Sequence, residues 1–445
     1  MNKPKLNNWQ RWAGRGVWAV ADQGLFAVSS ALLNLLLARW LMPAEYGAFA
    51  VAYTVFLLIG AVHTALFTEP MLVFGSSKYA SSWLSYIRLL LRGHWLLTGI
   101  GTFLLFILSA IFWLTGSNLI SQAVLGLAIA TPFTLLLWLM RRAAYARARP
   151  QLATMASAVY LLLIAGGLFA LNFSHIVSTL SVMLCMAVAS AAAGLWLMSK
   201  LCGASLAETD QAGPPAPGTV LATHWNYGRW ALATSILMWV PLNFYFIVLS
   251  GWVSLEASAS LRALTNLVLP LLQANAALSA LLLPPLVVRA GNPAAFKKLL
   301  RSSLILFFAG ATIYAVLLGT FGRPLVHLLY GGKYDGAANL IWLVALLPIL
   351  DGIVVVLASA LRSMERPKLV FWANLGAAAC VLTLGIWATS AWGIRGAALG
   401  MILADLLAVA VLATFVFKSQ HSAPSTLDCL EKLTPLGWRA LPQKS

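Results

Sequence analysis

Asp22, Arg262, Asp351 and Asp405 stand inside long apolar runs of this sequence. At the centre of a bilayer a charged side chain costs at least about 2.5–3.5 kcal/mol on insertion scales, so it normally faces a cavity or a partner. Arg262 opens a polar stripe. On a helix, Asn266 stands about 40° and Gln273 about 20° from Arg262, with Thr265 about 60° to the other side. The opposite face is Leu, Val and Ala. A guanidinium followed by aligned amides suits an oxyanion, which it binds through charge-assisted, bidentate hydrogen bonds. An arginine near a helix end also reaches lipid headgroups by snorkelling. That accounts for Arg262 alone, not for the amides in line with it.

In the first apolar run Arg15, Asp22 and Ser29 recur at seven-residue steps, and Gln23, Ser30 and Asn34 form the adjacent stripe. Such a face lines a wet cavity or makes helix–helix hydrogen bonds, and the residue types serve either. Asp351 and Asp405, each near the middle of a run, suit a proton or Na⁺, or a structural pairing. Asn243 follows Pro241 in mid-run and is a further candidate for a cavity wall. His63 and the Glu69-Pro70 pair are expected at an interfacial helix end.

The elements that carry these residues follow from composition. Of 445 residues, 61% are hydrophobic and 9% charged, and the mean hydropathy is +0.87. Soluble domains carry about 25% charged residues, and a globule this poor in charge would expose large apolar patches. Twelve membrane spans of about 20 residues use this composition fully. Expected spans are 17–38, 47–67, 89–114, 119–140, 151–172, 176–199, 230–250, 260–288, 299–320, 339–361, 369–389 and 394–417. The fold class is therefore an all-α integral membrane protein of about 12 transmembrane helices, and a soluble enzyme is excluded.

The net charge of +17 does not point to nucleic acid, because the basic residues sit in short breaks between apolar runs. With the N-terminus placed in the cytoplasm, 24 of the 29 Lys and Arg fall on the inner side, Arg141 and Arg142 among them. Four fall outside (Arg39, Arg323, Lys333, Arg395), and Arg262 alone is within a span. This asymmetry predicts an even span count with both termini inside. The segment Ala212-Gly213-Pro214-Pro215-Ala216-Pro217-Gly218 reads as a linker. Expected units are an N-terminal six-helix lobe (1–199), a cytoplasmic linker (200–224), a C-terminal six-helix lobe (225–417) and a cytoplasmic tail (418–445). No cleavable signal is expected, since the first apolar run is too long for one.

No nucleotide-binding loop is present: Gly331-Gly332-Lys333 lacks the glycine spacing of a Walker A sequence. Cys185, Cys202, Cys380 and Cys429 lack metal or disulfide spacing and read as small apolar fillers. No cofactor, metal or catalytic acid–base set is expected.

Two stretches carry a family resemblance. Asp22-Gln23, then Leu37-Ala38-Arg39-Trp40-Leu41-Met42-Pro43-Ala44-Glu45-Tyr46-Gly47-Ala48-Phe49, resembles the opening of polysaccharide flippases of the O-antigen type, with their polar first helix and "E-Y-G-x-F" turn. Tyr227-Gly228-Arg229, Leu281-Leu282-Leu283-Pro284-Pro285, Gly332-Lys333-Tyr334 and Gly393-Ile394-Arg395-Gly396-Ala397-Ala398 extend it through the second half. The superfamily also contains multidrug exporters and the lipid II flippase.

The resemblance implies two six-helix lobes around a central cavity, working by alternating access in the bacterial inner membrane. The implied cargo is an oligosaccharide on undecaprenyl pyrophosphate. Implied partners are this lipid-linked substrate, membrane lipids, and polysaccharide polymerase and assembly proteins. In the lipid II flippase, arginines on the first and eighth helices line the cavity; Arg15 and Arg262 lie on those helices here. Arg15, Asp22, Gln23, Ser30, Asn34, Asn243, Arg262, Asn266 and Gln273 are accordingly the candidate substrate-binding residues, and Asp351 and Asp405 the candidate ion-coupling pair. A cation-coupled multidrug exporter of the same fold is the alternative, which the three carboxylates favour and Arg262 opposes. A membrane-embedded glycosyltransferase or ligase would need a catalytic constellation near a large external loop, which the sequence lacks.

Overall fold

Twelve helices long and apolar enough to cross a membrane follow one another along the chain. They are α1 (Gly16–Trp40), α2 (Pro43–Phe74), α3 (Ala80–Leu114), α4 (Asn118–Ala146), α5 (Pro150–Phe173) and α6 (Thr179–Cys202), then α7 (Pro217–Trp252), α8 (Leu255–Arg289), α9 (Pro293–Tyr330), α10 (Asp335–Ser363), α11 (Pro367–Trp392) and α12 (Ile394–Ser419). The computed structural model describes residues 8–203, 213 and 215–421, with side chains 8–15, 280, 420 and 421 excepted.

The helix ends follow from local chemistry. Pro43, Pro150, Pro217, Pro293 and Pro367 occupy first turns, where a missing N–H costs nothing. Ser178 caps α6 in a reciprocal box with Ser181, and Ser254 and Asn292 cap α8 and α9 through the backbone N–H groups of Ala257 and Ala295. Gly331, at φ 64°, ends α9 in the left-handed conformation that glycine adopts freely. Pro132, Pro241, Pro270, Pro284, Pro285 and Pro324 lie inside helices, where a lost backbone hydrogen bond favours bending.

Three boundaries differ from expectation. α4 runs on to Ala146, so Arg141 lies in a helix rather than in a cytoplasmic break. α9 runs on to Tyr330, so Arg323 is helical rather than in a loop. α6 extends to Cys202 and α7 starts at Pro217, which narrows the expected 200–224 linker to a short connection. Residues 204–212 and 214 of that segment, and 422–445 of the tail, lie outside the described residues.

Short connections make successive helices alternate in direction. The end of the bundle where α1 begins is termed proximal, and the end with the α1–α2 turn distal. In the first half α4 is the central helix, packed on α3 and α6, while α1 lies along α5. In the second half α10 packs on α8 and α12, and α11 on α12. The halves meet mainly where α2 lies against α7 and α8.

Two glycines allow that contact. A β-carbon on Gly47 would overlap the Leu255 carbonyl at the start of α8. One on Gly228 of α7 would stand 2.7 Å from the Ala65 carbonyl of α2. Small residues let membrane helices approach at backbone distance. Both glycines follow a tyrosine in the Tyr46-Gly47 and Tyr227-Gly228 stretches.

Candidate functional site

Arg262 lies two turns into α8, where α8 faces α1 and α2. The residue is 6% exposed. Its Nε donates to Asn34 Oδ1 of α1 at 3.4 Å, and its guanidinium carbon stands 5.1 Å from the ring centres of both Tyr53 and Phe246. Asn34 is held for this role, because its Nδ2 donates to the Ser30 carbonyl at 2.9 Å and its oxygen is left facing the arginine. The Ser30 hydroxyl in turn lies 3.3 Å from that of Tyr53. Four helices, α1, α2, α7 and α8, thus surround one cation with aromatic faces, the Asn34 amide oxygen and the nearby Tyr46 hydroxyl. Among the described residues no carboxylate lies within ion-pairing distance of Arg262. A guanidinium has five N–H donors, and the long bond to Asn34 and the neighbouring Tyr46 hydroxyl leave others for a ligand.

One turn along α8, Asn266 Nδ2 donates to the Tyr46 hydroxyl of α2 at 2.8 Å. Asn266 Oδ1 is buried with no partner. Tyr46 stacks on Phe49 and lies against Tyr334. The sequence stripe Arg262–Asn266 therefore faces the first half across the seam. Gln273, further along the same stripe, is exposed.

Among the described residues no hydrogen bond joins the other candidates to this cluster. Asn243 donates to the Trp239 carbonyl of its own helix at 3.2 Å. Gln23 is exposed on α1, and the Arg15 side chain lies outside the described residues. Asp22 is fully buried within the first half. It accepts from Arg141 Nε at 3.1 Å and Nη2 at 2.9 Å, from the Tyr145 hydroxyl at 2.6 Å and from Ser157 at 2.5 Å. Arg141 also stacks over Phe26 at 4.1 Å. A carboxylate with this many donors is electrostatically and sterically satisfied where it sits. Asp351 accepts from Asn275 Nδ2 at 2.9 Å, and that amide also donates to the Pro348 carbonyl. Asp351 on α10 and Asp405 on α12 lie within electrostatic range of each other, inside the second half.

His63 departs from its expected interfacial place. It is fully buried, its Nε2 lies 3.0 Å from His94 Nδ1, and it stacks on Phe67. The sequence does not mark Arg141, Tyr53, Asn275 or His94 as partners of these groups. Arg141 stands just past a charge-free run and reads as a loop cation; nothing local marks the others. Tyr46 was visible as part of a motif, though not as the partner of Asn266.

At the distal surface basic side chains bridge the seam. Arg39 Nη1 donates to the Leu328 carbonyl at the end of α9, at 2.9 Å. Lys333, just past α9, donates to the carbonyls of Arg39 and Leu41 at 2.7 and 2.8 Å. Each half thus supplies a cation to the helix C-terminus of the other, where unpaired carbonyls gather. The proximal side is joined along one edge. There His224 of α7 donates from Nδ1 to the Leu66 carbonyl at 2.9 Å, and its Nε2 lies 2.7 Å from the Tyr86 hydroxyl. A carbonyl only accepts, so Nδ1 carries the proton. Along the other edge, Val17, Val20, Gln23 and Val28 of α1 and Gln273, Leu278 and Leu281 of α8 are exposed. Among the described residues no hydrogen bond joins residues 16–28 to the second half.

No family model and no curated protein matches the sequence. Solved structures do match in shape. An inward-facing multidrug resistance transporter of the MATE family, MOP superfamily, is 10% identical, with a TM-score of 0.74 over 91% of this chain and 100% of that one. The lipid II flippase MurJ in an inward closed conformation is 15% identical, with a TM-score of 0.71 over 93% of this chain and 91% of that one. A MOP-superfamily transporter from Pyrococcus furiosus is 10% identical, with a TM-score of 0.65 over 93% and 96%. The protein is thus a multi-pass helical membrane protein with the fold shared by these MOP-superfamily transporters.

Proposed function

We propose that the protein is a flippase for an oligosaccharide carried on undecaprenyl pyrophosphate, working between its two halves in the bacterial inner membrane with both termini in the cytoplasm. The observation that carries this reading is the contrast between Arg262 and Asp22. Arg262, buried at the seam, has no carboxylate partner among the described residues. The first half's buried carboxylate is already neutralised by Arg141. A site built this way favours a pyrophosphate over an organic cation.

The seam geometry supports the same cargo. At the distal end Arg39 and Lys333 bridge the halves, while α1 and α8 carry exposed faces toward the proximal end. A lipid-linked sugar enters such a site with its headgroup between the halves and its tail left in the bilayer between α1 and α8. Gln23 and Gln273 lie on this approach and hydrogen-bond the headgroup. Alternating access then consists of breaking the distal contacts while α1 and α8 close proximally. Asp351 and Asp405 favour a second reading, a cation-coupled drug exporter, and within the flippase reading they serve as the ion-coupling pair.

Deletion of the gene tests the choice. The flippase reading expects loss of surface polysaccharide while the lipid-linked precursor is still made, and unchanged drug susceptibility. Absence of the precursor, with polar effects excluded, would point to an enzyme. Unchanged polysaccharide with increased sensitivity to cationic drugs would establish the exporter.

A further inference from the structure

We propose that the distal face of the second half holds a separate binding site for an anionic monosaccharide of the hexuronate class, and that filling this site releases the latch between the halves. A cavity of about 440 Å³ opens there, within the size range of small-ligand pockets. Its walls include Ser260 of α8, Lys333, Tyr334 and Asn339 after α9, Trp392 at the end of α11 and Arg395 at the start of α12. The lining has two cations and no carboxylate. Asp335, the acidic residue nearest in sequence, is engaged by His327 at 2.7 Å.

Arg395 is exposed and has no partner among the described residues, so its fork is available for a carboxylate. Trp392 presents an exposed indole, an apolar face on which the C–H side of a pyranose stacks. Ser260 and Asn339 supply hydroxyl and amide groups at the same cavity. Cation, aromatic face and neutral hydrogen-bonding groups together describe an acidic sugar better than a simple ion.

The coupling follows from Lys333, which belongs to both features. It lines the cavity, and it holds the end of α1 through the carbonyls of Arg39 and Leu41. Burial of its ammonium pushes its pKa down from the ordinary lysine value, which marks a cation short of counter-charge. A carboxylate entering the cavity is a stronger acceptor than a backbone carbonyl, so it draws Lys333 away from α1 and leaves Arg39 as the remaining charged side chain of the latch. The sugar is either an acidic residue of the cargo itself or a free uronate outside the cell. This site uses residues distinct from those around Arg262, so its failure leaves the flippase reading standing.

The test uses the full-length chain in nanodiscs, with the four cysteines replaced and nitroxide labels at Met42→Cys and Leu328→Cys, two exposed positions flanking the latch. D-glucuronate, D-glucose and inorganic phosphate are titrated by calorimetry, and label distances are read by pulsed electron paramagnetic resonance. Glucuronate is expected to bind and to shift the distances to longer values, and glucose to bind about tenfold more weakly. Arg395→Gln should lose at least about tenfold in glucuronate affinity. Lys333→Gln should show the longer distance without ligand. Equal binding of glucose, or unchanged affinity in Arg395→Gln, would overturn the site. Phosphate binding as tightly as glucuronate would overturn the sugar class, and glucuronate binding with unchanged distances would overturn the coupling. Addition of free glucuronate to flippase assays separates the two sources: stimulation assigns an external effector, and no effect assigns the cargo's own sugar.

Discussion

Arg141 and Asp22, 119 residues apart, close a two-point ion pair inside the first half, with side chains 8% and 0% exposed. The pair ties α4 to α1, and Tyr145 and Ser157 complete the carboxylate's hydrogen bonds from α4 and α5. Asp22 is therefore an anchor that holds α1 in the first half.

Removing one partner leaves the other charged and buried, which costs about 3–5 kcal/mol. Asp22→Ala is expected to lower the thermal unfolding midpoint of the detergent-purified protein markedly. The double variant Asp22→Leu/Arg141→Leu should lose less than either single change, because no charge is stranded. An Asp22→Ala protein that unfolds like the wild type but no longer transports would instead make Asp22 a coupling group.

Gly47→Ala places a β-carbon on the Leu255 carbonyl, and a backbone atom cannot turn aside. Overpacking of this kind costs about 1–3 kcal/mol. Reduced thermal stability and reduced transport at matched abundance are expected. Gly101→Ala, where an added β-carbon meets nothing within 4 Å, is the silent control. Equal behaviour of the two variants would show that α2 and α8 do not cross this closely.

Orientation is checked by reporter fusions. Residues 117, 174, 256 and 330 should report the outside, and 145, 212 and 295 the inside. The basis is the Lys and Arg asymmetry, which stays large when Arg141 is removed from the loop count. Two or more reversed sites would overturn the topology.

The span count was legible because charge-free runs such as 93–140 have room for two helices and nothing else. Long-range pairing was not. Arg141 ends such a run, and only Asp22, folded against it, reveals that its charge is buried. Likewise the local sequence of His63 suits an interfacial helix end, and only His94, 3.0 Å away, accounts for its burial. The Arg262–Asn266 stripe was readable because helical periodicity puts both on one face, and the structure directs that face toward Asn34 and Tyr46. What α8 faces is set by its crossing with α1 and α2, which no local pattern encodes.

If Arg262 binds the pyrophosphate of the cargo, as proposed, transport by Arg262→Ala reports it directly. Surface polysaccharide is quantified in a deletion strain carrying each variant at matched membrane abundance. A charge-assisted hydrogen bond is worth about 1.5–3 kcal/mol, or about 10–150-fold in affinity. Arg262→Ala should therefore lose most transport, and Arg262→Lys should recover part of it by keeping charge without the fork. Arg323→Ala should be nearly silent, since Arg323 is exposed and bonded only to Asn339 among the described residues. Wild-type polysaccharide from Arg262→Ala would show that Arg262 does not bind the cargo.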